Sequence, residues 1–100
     1  MPIPPEFEEE FCNAFQMVKE FPDAASLYKV RRVVCRELGI SREDFDKYLE
    51  ELWKEGKVIL EFGSPIEEMD WYDEVNKGDP YIRVRGMKFF YVKPWKMCGV

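Results

Sequence analysis

Between Ser26 and Leu60 the chain reads SLYKVRRVVCRELGISREDFDKYLEELWKEGKVIL, and the punctuation of this stretch decides the fold. Leu27, Val30, Val34 and Leu38 recur at helical spacing, so a helix starting near Ser26 has one apolar face. Gly39 supplies its stop, because glycine takes the left-handed conformation that ends a helix. Ser41 is then an N-cap, with Asp44 three residues on in the capping-box position and Ile40 placed to staple against Phe45. A further helix therefore begins at Arg42. It carries Phe45, Leu49, Leu52 and Trp53 on its inner face and stops at Gly56, where KVILEF (Lys57 to Phe62) turns β-rich.

Working outward, Phe7, Phe11, Ala14, Phe15 and Val18 form one stripe of a helix predicted from Glu6 to Phe21. Its acids Glu6, Glu8, Glu9 and Glu10 crowd the positive end of the helix dipole, and Pro22 with Asp23 ends it. Ala24 to Leu27 reads as a short extended piece. Beyond Phe62, Gly63, Ser64 and Pro65 break the strand and a long acidic connection runs to Pro80. YIRVRGMKFFYV then gives two short strands, Tyr81 to Val84 and Lys88 to Val92, turning at Arg85, Gly86 and Met87. Alternation places Ile82 and Val84 inward and Arg83 and Arg85 outward. In the tail from Pro94, Trp95 is positioned to cover the core.

One hundred residues, 46% of them hydrophobic and 16% aromatic, suffice for one α+β domain spanning 1–100. No apolar run approaches the roughly 18 residues of a membrane span, and the acidic start MPIPPEFEEE lacks an apolar signal region, so a reducing cytoplasm is the default location. Cys12, Cys35 and Cys98 are widely spaced and form no C-x-x-C pair, so neither a disulfide framework nor a zinc site is encoded locally. Cys12 and Cys35 read as buried apolar residues within helices. With no histidine in the chain, Ser-His and Cys-His nucleophiles and His-ligated metals are excluded. Ser26, Ser41 and Ser64 have turn or capping roles, and no phosphate loop or nucleophile elbow is present, so no enzyme activity, metal or cofactor is expected.

The element order, together with the quoted passage and the closing strand Lys88 to Val92, resembles the winged-helix superfamily over about Ala24 to Lys93. The resemblance implies three helices followed by a two- to three-stranded antiparallel wing, with the acidic loop 63–80 inside the wing. It also implies a DNA-associated module of the transcription-regulator, helix-turn-helix type, whose third helix meets the major groove and whose wing touches phosphates.

Charge qualifies that expectation. Between Arg42 and Glu55 six acids face three bases, a formal −3 on the element that should approach phosphate. Glu43 with Lys47 and Glu50 with Lys54 fit a solvated, ion-paired face; the functional alternative is contact with a basic protein partner. Basic surface lies elsewhere. Lys29, Arg32 and Arg36 fall opposite the apolar stripe of the second helix, with Arg31 on its flank. From Tyr81 onward Arg83, Arg85, Lys88, Lys93 and Lys96 add +5 with no acid, interleaved with aromatics. These bases either contact duplex DNA or neutralise the acidic connection. Lys29, Arg32, Arg36, Arg83, Arg85 and Lys88 are thus the candidate nucleic-acid contacts. In the connection, Met69, Trp71 and Tyr72 lie among acids, either packed back on the domain or exposed for a protein partner or a homodimer, together with Glu50 and Glu51. Its carboxylates lack the regular spacing of a calcium loop.

Overall fold

The structure, a computed structural model, describes residues 3–19, 24–62 and 81–99. Helix α1 (Pro5–Val18) has proline in its first turn, where the missing N–H costs nothing, and buries Phe7, Phe11, Ala14 and Phe15. It ends three residues before the predicted Phe21, and Lys19 already leaves the helical region with ψ 134°. Pro22 sets only the outer limit, because in a helix continued through it the ring would strike the Val18 carbonyl and there is no N–H to offer.

Strand β1 (Ala25–Ser26) leads directly into α2 (Leu27–Leu38), whose apolar face Leu27, Val30 and Val34 is fully buried. Gly39 ends α2 at φ 65°, and the Ile40 N–H donates to the Cys35 carbonyl across the turn. Helix α3 (Arg42–Lys54) starts as expected: Ser41 Oγ accepts from the Asp44 N–H at 3.1 Å. Phe45, Leu49 and Leu52 of α3 are buried. Phe45 meets Phe7 and Phe11 of α1 at centroid separations of 5.5 and 6.2 Å, which joins the first and third helices through an aromatic cluster.

The strands β2 (Val58–Glu61), β3 (Ile82–Val84), β4 (Met87–Phe89) and β5 (Tyr91–Pro94) complete the chain. They make two antiparallel sheets: a three-stranded one in the order β1-β5-β2, and the β3–β4 hairpin. The β5 register pairs Val92 with both Ala25 and Leu60, so its buried Val92 closes the core from the centre of the sheet. The predicted single strand Lys88 to Val92 is in fact two strands in two sheets. Phe89 and Val92 are both buried, a spacing of three that strict alternation cannot satisfy. The chain resolves this at Phe90, whose N–H donates to the Glu61 carbonyl and whose carbonyl accepts from the Leu27 N–H.

Two further expectations are corrected. Trp95 does not cover the core: it follows the end of β5 and is 52% exposed, with its N–H donating to the Lys57 carbonyl at 2.8 Å. Cys12 is not a free apolar cysteine but is joined to Cys98 by a disulfide across 86 residues. The tail returns to α1 at a separation that no local spacing rule detects. Cys35 stays free and half-buried; its thiol donates to the Ser41 carbonyl at 3.6 Å, and burial raises its pKa. Among the described residues no helix is long and apolar enough to cross a membrane.

Candidate nucleic-acid interface

The hairpin sets out its bases by strand alternation. Ile82 and Val84 point into the core, Arg83 points outward, and the register places Arg83 directly opposite Lys88. Both are exposed. Their common neighbour is Tyr81, whose ring centre lies 4.6 Å from Lys88 Nζ and 5.7 Å from Arg83 Cζ. Tyr81 is itself braced edge-on by Phe90 at 5.9 Å.

The turn contains only Arg85 and Gly86, with φ of 52° and 81°. Met87, expected in the turn, is the first residue of β4. Two left-handed residues match the twist of a tight hairpin, but the first position favours asparagine, aspartate or glycine over arginine. Arg85 Cζ sits 5.7 Å from the ring centre of Trp53, so the hairpin tip bears on the final turn of α3.

On α2 the basic residues divide. Arg32 and Arg36 are exposed and Lys29 is half-buried, while Arg36 Nε pairs with Glu37 at 3.5 Å. Arg31, expected at the flank of this surface, is only 5% exposed and turns toward α3, where its Nη1 stands 3.6 Å from Asp46 Oδ1. That separation makes an ion pair but exceeds hydrogen-bond reach, and Asp46 Oδ1 is buried without a hydrogen-bond donor. Burial raises the Asp46 carboxyl pKa, against the downward pull of Arg31.

Two adjoining clefts connect helix and hairpin. One, of about 190 Å³, is lined by Tyr28, Arg31, Arg32, Cys35 and Arg42; the other, of about 320 Å³, by Arg31, Arg42, Glu43, Asp46, Tyr81 and Arg83. Because they share Arg31 and Arg42, they place Arg32 of α2 and Arg83 of β3 along one depression. Lys29, Arg36, Arg85 and Lys88 do not line it. Arg42, at the first position of the net acidic helix α3, lines both clefts, a placement that the helix's overall charge conceals.

The residues chosen for protein contact fare differently. Met69, Trp71 and Tyr72 lie outside the described residues. Glu50 and Glu51 both reach Lys54, at 3.3 and 3.5 Å, the local ion pairing of a solvated face. Among the described residues no group of three or more potential metal ligands comes together.

No protein-family model matches the chain, and no curated protein or solved structure is significantly similar to it.

Proposed function

We propose that the chain is a non-enzymatic winged-helix module, DNA-associated and of the transcription-regulator kind, that contacts the phosphates of double-stranded DNA through its hairpin and α2. The order of three helices and strands, with β5 between β1 and β2, supports the winged-helix reading. The single observation that carries the ligand is the exposed Arg83–Lys88 pair. Two cations held opposite each other across a ladder repel, and an anion between them removes that cost. Arg42 and Arg32 continue the line of cations from Arg83 along the clefts, past the carboxylates Glu43 and Asp46 that also line the second. Helix α3 does not enter the groove in this mode: its length is net acidic, and β3 packs along one side of it.

Fluorescence-anisotropy titration of a labelled duplex at low and moderate salt tests this reading. Binding that weakens steeply with salt, and is lost in the Arg83→Glu, Lys88→Glu double variant, supports it. Unchanged affinity in that folded variant sinks it.

A protein-contact reading, as a subunit or adaptor or a homodimer, draws on the 66% exposure of Phe62, which is stacked on Phe89 at 4.8 Å. Failure to bind DNA even at low salt favours it, and Phe62→Ser would then disrupt a complex while leaving the fold intact.

A further inference from the structure

Cys12 and Cys98 lie in an open groove of about 390 Å³, lined also by Glu8, Glu9, Lys57 and Lys96. Both cysteines are half-buried and line this groove, while Cys98 also packs against the edge of the core. The groove's two carboxylates and two ammonium groups balance, and neither a neutral nor an anionic reagent is repelled by net charge.

The bond holds down a segment with few other anchors. The Trp95 and Lys96 N–H groups both donate to the Lys57 carbonyl, at 2.8 and 3.2 Å, and Met97 and Cys98 pack on the rim of the core. Cys98 has φ 61°, a left-handed conformation that a residue with a side chain keeps only where its surroundings impose it. The disulfide is that imposition. Gly99 follows at φ 77°, so the backbone beyond Cys98 adds little resistance to rearrangement.

From this geometry we propose that Cys12–Cys98 is a thiol-exchangeable clasp: a site for a small thiol, such as a glutathione-type reductant, whose opening releases the segment from Trp95 to Gly99 while the three helices stay packed. The reductant's thiolate attacks one sulfur of the pair. A new S–S bond forms, the Cys12–Cys98 bond breaks, and its electron pair leaves on the other sulfur as a thiolate in a groove that Lys96 also lines, whereas the Lys57 ammonium there is paired with Glu8 and Glu55. A second reductant thiolate attacks the mixed disulfide at the reductant's own sulfur. That step frees the second cysteine as a thiolate and yields the reductant's disulfide. Two electrons pass from two reductant thiols to the protein disulfide, and both cysteine thiolates take protons from water.

The test uses the full chain carrying Cys35→Ser, purified without reductant, so that no third thiol can exchange. Native protein is incubated with millimolar glutathione, followed by intact mass, and examined by hydrogen–deuterium exchange before and after. The expected result is a transient adduct of one glutathione, then a chain heavier by two hydrogens. The Trp95 and Lys96 amides should then exchange faster by on the order of tenfold or more, while amides in the centres of α2 and α3 keep their protection. Four results overturn the proposal: isolation of the chain with both thiols already free, opening only after denaturant is added, opening with no change at Trp95 and Lys96, or loss of protection throughout the helices. The last would make the bond a structural staple of the whole fold. Cys98→Ser in wild-type background supplies a second arm: it should show fast exchange at Trp95 and Lys96 with no reductant present.

Discussion

Arg83 and Lys88 stand opposite each other on the exposed face of the β3–β4 hairpin, two like charges in a position where opposite charges stabilise a ladder. Such a pair costs a few tenths of a kcal/mol, up to about 1. Lys88→Glu turns the repulsion into attraction. The change also gives up the contact of Lys88 Nζ with the Tyr81 ring at 4.6 Å, a loss of similar size, so the melting temperature should move by no more than about 2 °C while affinity for duplex DNA falls. A variant that keeps its affinity would show that the cations serve no anionic ligand.

Arg85 gives a related separation of stability from binding. The turn it shares with Gly86 places both residues at positive φ, and asparagine suits the first position better than arginine. Arg85→Asn is expected to stabilise the fold by about 0.5–1 kcal/mol in denaturant titration. If Arg85 meets a phosphate, the same change lowers the slope of log affinity against log salt by about one contact. Destabilisation would mean that the stacking of Arg85 on Trp53 outweighs its backbone cost.

Ser41→Ala removes the acceptor for the Asp44 N–H and should cost about 1 kcal/mol, seen as a lower urea midpoint with an unchanged slope. Ser41→Asp, which keeps an acceptor in place, should recover most of the loss. Equal losses in both variants would contradict the capping role.

The sign of the Asp46 shift makes a pH prediction. Its folded pKa is raised by burial, so in acid the native state binds a proton that the unfolded chain gives up more readily. For this group, stability increases as pH falls through the folded pKa and levels off below the ordinary aspartate value of about 4. Asp46→Asn does not titrate. The wild-type advantage over the variant in melting temperature should therefore grow on acidification, then plateau; a difference independent of pH rejects the assignment.

The helices were legible because their signals are local. The α2–α3 turn is written in Gly39, Ile40 and Ser41, and the start of α3 in Ser41 and Asp44, all within hydrogen-bonding range along the chain. What escaped was set by distant partners. Phe90 breaks its strand because Glu61 and Leu27 claim its backbone groups from two directions. Arg31 left the basic face because Asp46, fifteen positions on, lies across the helix pair. Cys12 is paired with Cys98 across 86 residues, a contact that exists only because the tail returns to α1. Of the candidate interface, alternation along the hairpin gave Arg83 its outward direction, but the pairing with Lys88 and the position of Tyr81 depend on register and on packing.

The place of β5 in its sheet has a consequence for the living chain. Strands β1 and β2 share no ladder; each is joined to β5, which follows both in sequence. A nascent polypeptide can build its helical part as it emerges, yet among the described residues the two outer strands have their ladder partner only in Tyr91–Pro94. Until those residues leave the ribosome, the product carries two unpaired strand edges, the state in which chaperone capture or aggregation competes with folding.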